Sequence, residues 1–207
     1  MSLHIYIGPM YAGKTSKLIS MYNQITDFNK VIIDYDIVEH AMGENKDYVM
    51  KGNLESHDKI IIPNVHRCKK LKSLYKKENY MLFSDDVLNY YYDIFQDSKY
   101  VFINECQFFH DLKQFVLDML SYGKHVFLYG LDGDYKQNLM GQTMELIPYA
   151  TTIEKITGKC SECKSKSIVS HRTIKNNNIY LPDANAYVPL CLNCYDDKKL
   201  NENSASL

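Results

Sequence analysis

The fold of this chain is decided by its first apolar run and the loop that follows it, Leu3-His4-Ile5-Tyr6-Ile7-Gly8-Pro9-Met10-Tyr11-Ala12-Gly13-Lys14-Thr15. Apolar residues at helical spacing continue from Thr15 to about Ile25. This order predicts a strand, a loop and a helix, and residues 8–15 match the pattern GxxxxGK(S/T). In that context the pattern predicts a phosphate-binding loop, because glycines let backbone amides close around phosphate oxygens.

The residue types in this loop predict how it holds a nucleoside triphosphate. Lys14 offers a cation to the β and γ phosphates, and the Thr15 hydroxyl can bind Mg²⁺. The predicted phosphate-binding set is Gly8, Pro9, Met10, Tyr11, Ala12, Gly13, Lys14 and Thr15. A chance glycine turn is the alternative, and the strand before the loop and the helix after it argue against that alternative.

The rest of the first 150 residues alternates strands with helices. Strands are predicted at 31–33, 60–62, 100–103 and 125–128, helices from Ser84 to Phe95 and from Phe108 to Leu120, and a long loop over 35–58. Near-continuous apolar strands between helices indicate a mostly parallel sheet covered on both faces. The predicted fold class is therefore α/β, a P-loop NTPase-like sheet flanked by helices.

Two polar residues follow the predicted strand Tyr100-Val101-Phe102-Ile103. A carboxylate is expected there to organise Mg²⁺, but the first position carries Asn104, whose neutral amide attracts the ion less strongly. Glu105 comes next and, by alternation, lies on the other side of the strand end, where we predict a general base. Two alternatives stay open, Asn104 as a turn-capping side chain and Glu105 as a solvated loop carboxylate.

Four cysteines predict a metal site in the C-terminal part of the chain. Cys160 and Cys163 form one CxxC pair, Cys191 and Cys194 form a second, and 27 residues separate the pairs. Four thiolates fill a tetrahedral shell that suits Zn²⁺ and leave no open position, so the predicted zinc site is structural. Unliganded or redox-active cysteines are the alternative.

This site suggests how the chain divides. We predict an α/β domain over residues 1–150, a zinc-binding domain over 151–195 and a polar, flexible tail over 196–207. Cys68 and Cys106 have no partner at ligand spacing, so we expect ordinary packed residues there, with an oxidisable thiol as the alternative for Cys106.

Composition and charge argue against several classes of protein. The 207 residues carry 24 Lys plus Arg against 25 Asp plus Glu, a net charge of −1, so no basic field favours nucleic acid as a partner. No apolar run approaches the roughly 18–20 residues of a membrane span. The first residues lack the features of a secretory signal. We therefore expect a cytoplasmic protein with neither a membrane nor a nucleic acid as partner.

Taken in order, these motifs resemble the thymidine kinases of the zinc-containing type (type II), found in vertebrate cytosol, bacteria and large DNA viruses. The resemblance is carried by residues 8–15, Ile103-Asn104-Glu105-Cys106-Gln107-Phe108-Phe109, Gly130-Leu131-Asp132-Gly133-Asp134-Tyr135 and the two CxxC pairs. It implies transfer of the ATP γ-phosphate to the 5'-hydroxyl of thymidine with Mg²⁺, Glu105 acting as base and Lys14 stabilising charge. It also implies a homotetramer and feedback inhibition by dTTP.

The resemblance further implies a nucleoside site. The thymidine-binding residues carried over by position are Met10, Phe108, Leu131, Tyr135, Ser170 and Tyr187. Tyr187 matches a tyrosine of the lasso, the 27-residue segment between the cysteine pairs, and Arg172 also falls on a family position. Phe108 as a core residue and Tyr135 as a surface aromatic remain alternatives.

The chain departs from the family pattern mainly on the phosphate side. The departures are Asn104 for an aspartate, Met140 for a pocket phenylalanine, Pro182-Asp183 for a glycine pair, and Asp34, Val38 and His40 in an expected Lys-x-x-x-Asp-x-Arg run. Asp34 or Asp36 is a candidate to restore the missing negative charge. Two other functions are therefore kept open, a nucleotide-binding regulatory protein with little catalysis and a zinc-ribbon P-loop ATPase acting on nucleic acid.

Overall fold

The computed structural model describes residues 1–37, 50–56, 58–74, 95–174, 178, 181 and 183–204. Most of the helix predicted from Ser84 to Phe95 lies outside the described residues, although residues 95–97 are helical. Val38, His40 and Pro182, three of the departures from the family pattern, also lie outside them.

The described residues form one large sheet and two small hairpins. The strands of the large sheet are β1 (Ser2–Ile7), β2 (Lys30–Tyr35), β3 (Met50–Glu55), β4 (Ile61–Cys68), β5 (Tyr100–Ile103), β6 (His125–Gly130) and β7 (Thr152–Lys155). Their order is β3-β4-β2-β5-β6-β1-β7, and all neighbours are parallel except the antiparallel pair β3 and β4. The predicted α/β class with a mostly parallel sheet is confirmed.

The longer described helices are α1 (Lys14–Gln24), α2 (Leu112–Ser121) and α3 (Leu192–Ser204). None of the helices in the described part of the chain is both long and apolar enough to cross a membrane.

Apolar side chains on both sides of the sheet form two cores. Ile33 of β2 packs in one core with Phe115 of α2, whereas the adjacent Ile32 packs in the other core with Leu18 of α1. Successive strand residues point to opposite faces. The strands read as continuous apolar runs because both faces are covered by helices.

The helix predicted from Phe108 begins later than expected. Cys106–Phe108 form a 3-10 turn, and Phe109 then adopts an extended conformation with φ −80° and ψ 114°. That extended residue interrupts the helical path although the apolar spacing continues, so α2 starts only at Leu112. Phe108 therefore lies at the sheet edge instead of in the first turn of a helix.

The predicted loop over residues 35–58 is wrong in part. Residues 38–49 and 57 lie outside the described residues, but Met50–Glu55 form β3, which pairs with β4 at the outer edge of the sheet. Apolar residues are sparse in β3, whose sequence is Met-Lys-Gly-Asn-Leu-Glu. Edge strands are half solvated and need few apolar residues, so the periodicity there was too weak to predict a strand.

The strand predicted at residues 60–62 continues through Pro63 to Cys68. The register with β3 shifts here, and Asn64 has a positive φ of 62°, so Pro63 and Asn64 form a bulge. A bulge accommodates proline, which cannot donate a ladder hydrogen bond. Proline thus bends this strand without ending it.

The C-terminal part differs from the predicted boundaries. β7 follows residue 150 but pairs with β1, so the α/β unit extends to Lys155. The smaller unit contains the hairpin of β8 (Gly158–Lys159) with β9 (Lys166–Ser167) and that of β10 (Val169–Arg172) with β11 (Tyr187–Leu190). The segment predicted as a flexible tail from residue 196 is helical as far as Ser204, because α3 continues from the second CxxC pair.

Candidate active site

The predicted site residues come together because parallel strands end at the same edge of the sheet. Asp34 lies near the end of β2, Asn104 and Glu105 follow β5, Leu131 follows β6, and the glycine-rich loop (Gly8–Thr15) follows β1. These four strands are adjacent in the order β2-β5-β6-β1. At the carboxyl ends of these strands, called the C-terminal edge of the sheet, the loop therefore lies beside the acidic residues.

The glycine-rich loop contains two glycines, and the structure requires glycine at each position for a different reason. Gly13 has a φ of 85° and stands directly before α1, which suits the residue type without a side chain. Gly8 is instead required by space, since a Cβ there would collide with the backbone oxygen of Ile156 just after β7. The loop is thus fixed between the first turn of α1 and the end of β7, and the amides of that first turn have no helical acceptor.

Lys14 is buried in this loop at 8% exposure, and its Nζ donates a hydrogen bond to the carbonyl oxygen of Pro9 at 2.7 Å. Burial lowers the pKa of the Lys14 amine, while the negative charges of Glu105 and Asp132 act in the opposite direction. Lys14 therefore lies within electrostatic reach of both acids. A cation in this position can neutralise charge between the loop and Glu105.

Glu105 has a left-handed backbone conformation, with φ 50° and ψ 38°. This conformation is uncommon for a residue with a side chain and is enriched at functional sites. Its Oε2 accepts a hydrogen bond from Nε2 of Gln107 at 2.7 Å. The carboxylate is thereby held half-buried at the edge of the sheet rather than free in solvent.

Gln107 is a residue to which the sequence analysis gave no role. It is buried, and its Oε1 accepts a hydrogen bond from the backbone amide of Leu131 at 2.9 Å, so one amide connects the ends of β5 and β6. Gly130 makes room for it, because a Cβ there would collide with the amide oxygen of Gln107. The available signal was a glutamine inside an otherwise apolar segment, Cys106-Gln107-Phe108-Phe109.

Asn104 makes a buried hydrogen bond with a carboxylate on the adjacent strand. Its Nδ2 donates to Oδ1 of Asp34 at 2.9 Å, and Oδ2 of Asp34 lies 3.2 Å from Nη2 of Arg67 on β4. Burial raises the pKa of Asp34 to about 6, although the bond from Asn104 and the charge of Arg67 oppose this shift. The structure thus places Asp34, one of the two predicted acids, against Asn104.

The donor atoms near the loop fit Mg²⁺. Thr15 lies half-buried in the first turn of α1 and carries a hydroxyl oxygen. Asn104 uses its amide nitrogen for the bond to Asp34, so its amide oxygen remains as a second neutral oxygen. Mg²⁺ prefers oxygen ligands and usually takes only one or two from the protein, the rest coming from phosphates and water. This chemistry is compatible with the predicted magnesium residues.

The smaller unit contacts the glycine-rich loop through Ser170. The backbone amide of Met10 donates to Oγ of Ser170 at 2.9 Å, which joins two of the predicted thymidine residues. Ser170 is buried on β10. Since Met10 is inside the loop, this contact ties the metal-binding unit to the phosphate side of the site.

Arg172 brings two more of the predicted thymidine residues together. Its guanidinium lies 3.7 Å from the ring centre of Tyr135, and its Nη2 donates to the hydroxyl of Tyr187 at 2.8 Å. The same hydroxyl accepts a hydrogen bond from the backbone amide of Leu181. Tyr187 is buried, and its hydroxyl oxygen is thus held by two donors. Tyr135 is not an isolated surface aromatic, because it stacks on this cation.

Phe108 lies on the other side of the edge, toward β2. It is half-buried, and its ring is 5.1 Å from the ring of Tyr35. The structure therefore arranges most of the predicted thymidine residues in three groups, Met10 with Ser170, Tyr135 with Tyr187 through Arg172, and Phe108 beside Tyr35. The remaining residue, Leu131, donates its backbone amide to Gln107.

A cavity of about 250 Å³ lies between the turn after β6 and the metal-binding unit. The ion pair of Lys155 with Asp132, at 2.7 Å, is part of its wall. Among the described residues in that wall, Ser170 alone belongs to the predicted thymidine set. The cavity thus adjoins the site without coinciding with it.

The four cysteines of the two CxxC pairs converge as the spacing predicts. The sulfur atoms of Cys160, Cys163, Cys191 and Cys194 all lie within 4.8 Å of one another. A tetrahedral ion with metal–sulfur bonds of about 2.3 Å needs sulfur atoms about 3.8 Å apart, so this cluster fits such an ion. Cys160 also packs with Val169, Leu190 and Tyr195 in a small core.

The two remaining cysteines are ordinary buried residues, as expected. Cys106 and Cys68 are fully buried, and burial raises the pKa of the Cys106 thiol to about 12. A thiol with so high a pKa is a poor nucleophile at neutral pH.

Comparison with known proteins gives a consistent result. A family model described as "Thymidine kinase" matches residues 1–195. A thymidine kinase of Amsacta moorei entomopoxvirus is 31% identical over 202 residues, covering 95% of this chain and 99% of the relative. Thymidine kinase 1 of Dictyostelium discoideum is 26% identical, covering 98% and 81%. A cytosolic thymidine kinase of Bos taurus is 24% identical, covering 95% and 72%.

Proposed function

This chain belongs to the thymidine kinase family, and from that premise we propose that it transfers the γ-phosphate of ATP to the 5'-hydroxyl of thymidine, giving dTMP and ADP. One observation carries the proposal. The loop that holds Lys14 and the carboxylate of Glu105 lie at the same edge of the sheet, close enough for their charges to interact. Donor and acceptor ends of a phosphoryl transfer require this arrangement.

At the donor end, the loop Gly8–Thr15 holds the phosphates. Amides of the loop and of the first turn of α1 bind phosphate oxygens, and Lys14 neutralises charge that moves toward the bridging oxygen. The hydrogen bond from Lys14 to Pro9 supports this role, because it keeps the amine inside the loop.

At the acceptor end, Glu105 accepts the proton of the 5'-hydroxyl. The hydroxyl oxygen attacks the γ-phosphorus, the bond from phosphorus to the β–γ bridging oxygen breaks, and ADP leaves. Gln107 fixes the Glu105 carboxylate and keeps its second oxygen available for the proton. The protein contributes mainly position and charge to this step.

Thymidine is bound by Met10, Phe108, Leu131, Tyr135, Ser170 and Tyr187. Contacts among these residues support the assignment, since Met10 bonds Ser170 and Arg172 joins Tyr135 to Tyr187. Their apolar and aromatic character suits a flat base held between side chains.

Mg²⁺ is held by Thr15 and Asn104, directly or through water. When bound, the ion neutralises charge on the phosphates and orients them. The four cysteines hold a structural Zn²⁺, because an all-thiolate shell leaves no position for a substrate.

Family membership extends the proposal beyond the chemistry of the site. A homotetramer and feedback inhibition by dTTP follow from the resemblance. A cytoplasmic location agrees with the name of the Bos taurus relative.

The experiment that tests this proposal is the substitution Glu105→Gln. Loss of a general base lowers kcat by at least about 10²-fold, while ATP binding is expected to be unchanged. A coupled assay of ADP release with thymidine and ATP measures the first quantity, and calorimetry with ATP measures the second. Glu145→Gln, on an exposed ion pair with Lys113, is the matched control.

Full activity of Glu105→Gln would contradict the assignment. Binding of both substrates by the unaltered protein without ADP production would favour the regulatory alternative, which the family match and the names of the relatives do not favour. ATP hydrolysis stimulated by single-stranded nucleic acid and not by nucleosides would favour the ATPase alternative.

A further inference from the structure

The contact between Asn104 and Asp34 fixes which end of the Asn104 amide lies beside the carboxylate. A carboxylate can only accept hydrogen bonds when ionised, so the Asn104 group beside it must be the NH₂ end. The amide oxygen of Asn104 therefore points away from Asp34. That oxygen is the only atom of the side chain able to bind a hard cation or to accept a bond from metal-bound water.

Asp34 is itself held in place. It lies in register with Arg67 on the neighbouring strand β4, and its second carboxylate oxygen is 3.2 Å from the guanidinium. The Asp34 side chain is only 8% exposed. One oxygen is thus engaged by Arg67 and the other by Asn104, so the carboxylate has little freedom to turn.

The position of the negative charge follows from this arrangement. An aspartate at position 104 would put a charge on the ligand atom itself, whereas here the charge lies one hydrogen bond away, on β2. Asp34 lies on β2 beside β5, and Glu105 of the proposed reaction centre follows β5.

We propose that Asp34 is a positioning residue for the metal–nucleotide complex. Asp34 holds the Asn104 amide so that the amide oxygen is available to Mg²⁺ or to a metal-bound water. The proposal rests on the proposed function, because that function supplies the metal–nucleotide complex. It concerns residues in which this chain departs from the family pattern, and it explains how Asn104 serves at a place where a carboxylate is expected.

The test is metal binding without turnover. Mn²⁺ is titrated into the protein with the non-hydrolysable nucleotide AMP-PNP and followed by electron paramagnetic resonance. Asp34→Ala should weaken Mn²⁺ binding about 10- to 100-fold, the usual effect of removing a partner that orients a ligand. Metal-free AMP-PNP binding should change by less than about twofold, since Asp34 does not contact the loop in this scheme.

Asp36→Asn is the matched comparison, because Asp36 is also buried at the end of β2. It should leave Mn²⁺ affinity within about twofold of the unaltered protein. Equal losses in Asp34→Ala and Asp36→Asn would show a general effect of charge and would overturn the positioning role. Unchanged Mn²⁺ affinity in Asp34→Ala would overturn it too.

Exchange of the two side chains is a second test that does not depend on the stability of Asp34→Ala. Asn104→Asp alone sets two carboxylates against each other in a buried place, so its thermal midpoint should fall. Adding Asp34→Asn removes that repulsion and keeps an amide–carboxylate bond, so the double variant should recover both stability and Mn²⁺ affinity. Failure of the exchange to recover Mn²⁺ affinity in a folded protein would contradict the proposal.

The outcome is separable from that of the proposed function. If the unaltered protein binds Mn²⁺ and AMP-PNP but forms no dTMP, thymidine phosphorylation fails as the function. The effect of Asp34→Ala on Mn²⁺ affinity then still supports or overturns the positioning role.

Discussion

At the scale of single residues, a neutral amide organises the charged groups of the site. Gln107 donates to Glu105 and accepts from the amide of Leu131, so it links the proposed general base to the strand end after β6. Two side-chain amides therefore bond to carboxylates here, Gln107 to Glu105, the proposed proton acceptor, and Asn104 to Asp34, at the proposed magnesium site. Amides suit this task because each offers a donor and an acceptor at a fixed separation.

Removal of the Gln107 side chain should impair chemistry more than binding. In Gln107→Ala, kcat should fall about 10- to 100-fold, because a hydrogen bond to a charged group contributes about 1.5–3 kcal/mol. The KM for ATP should stay within about twofold, since the glycine-rich loop is unaffected. Steady-state kinetics with thymidine and ATP measures both quantities.

Gln114→Ala is the control for this prediction, since Gln114 lies on an exposed part of α2 and bonds only within that helix, to Asp118. An increase in KM for ATP with unchanged kcat in Gln107→Ala would mean that the residue serves substrate binding instead.

Among the strands and helices, the last strand of the large sheet helps to shape the glycine-rich loop. β7 pairs with β1, and the chain beyond it passes so close to Gly8 that a Cβ has no room beside Ile156. The glycine-rich loop is therefore bordered by a strand that comes about 150 residues later in the sequence. The sequence motif alone explains Gly8 by phosphate contact, whereas the fold adds a packing reason.

Substitution of Gly8 by alanine tests this packing reason. Gly8→Ala forces the loop or the end of β7 to move, and overpacking of this kind costs about 1–3 kcal/mol. We expect a lower thermal midpoint and an affinity for ATP reduced at least about fivefold. Calorimetric titration with ATP and thermal unfolding measure these effects.

Gly52→Ala on the edge strand β3 is the corresponding control, because an added Cβ there meets the Arg67 side chain at an ordinary 3.4 Å. ATP affinity in Gly8→Ala equal to that of the unaltered protein would show that the contact with Ile156 is not restrictive.

In the whole molecule, the unit that carries the four clustered cysteines is joined to the large sheet by contacts that involve residues of the proposed site. Ser170 of β10 accepts the amide of Met10, and the Tyr195 hydroxyl of α3 donates to the carbonyl of Tyr135. Tyr195 also packs in the small core with Cys160. The position of the proposed thymidine-binding residues therefore depends on a unit that is too small to be stable on hydrophobic burial alone.

Removal of the metal should accordingly weaken thymidine binding. In Cys163→Ser, we expect loss of bound zinc, a lower thermal midpoint and a thymidine affinity reduced about tenfold or more, because metal binding supplies folding free energy to the small unit. Metal content measured by atomic absorption and the thymidine dissociation constant measured by calorimetry test this expectation. Excess Mg²⁺ is kept in every sample, so that only the cysteine site changes.

The matched control is Cys68→Ser, which replaces a buried cysteine of the α/β unit and should leave the zinc content unchanged. Full thymidine affinity in Cys163→Ser after measured loss of zinc would contradict the coupling between the two units.

The fold class, the loop between β1 and α1, the cysteine cluster and the placement of Glu105 at the end of β5 could all be predicted from the amino-acid sequence. These features are encoded locally, by apolar periodicity, by glycine and lysine at fixed spacing and by pairs of CxxC. The strand predictions that were incomplete also have a physical explanation. The edge strand β3 carries too few apolar residues to be recognised, and the strand through Pro63 needs a bulge that only its partner strand reveals.

Contacts between residues that are far apart in the sequence could be found only in the folded structure. The bond of Asn104 with Asp34 joins residues 70 positions apart, and the bond of Met10 with Ser170 joins residues 160 positions apart. Periodicity and motif spacing carry no information about such pairs, because they depend on which strands become neighbours in the sheet. The contacts of Asn104 with Asp34, of Gln107 with Glu105 and Leu131, and of Ser170 with the glycine-rich loop therefore follow from the arrangement of strands and not from the order of residues.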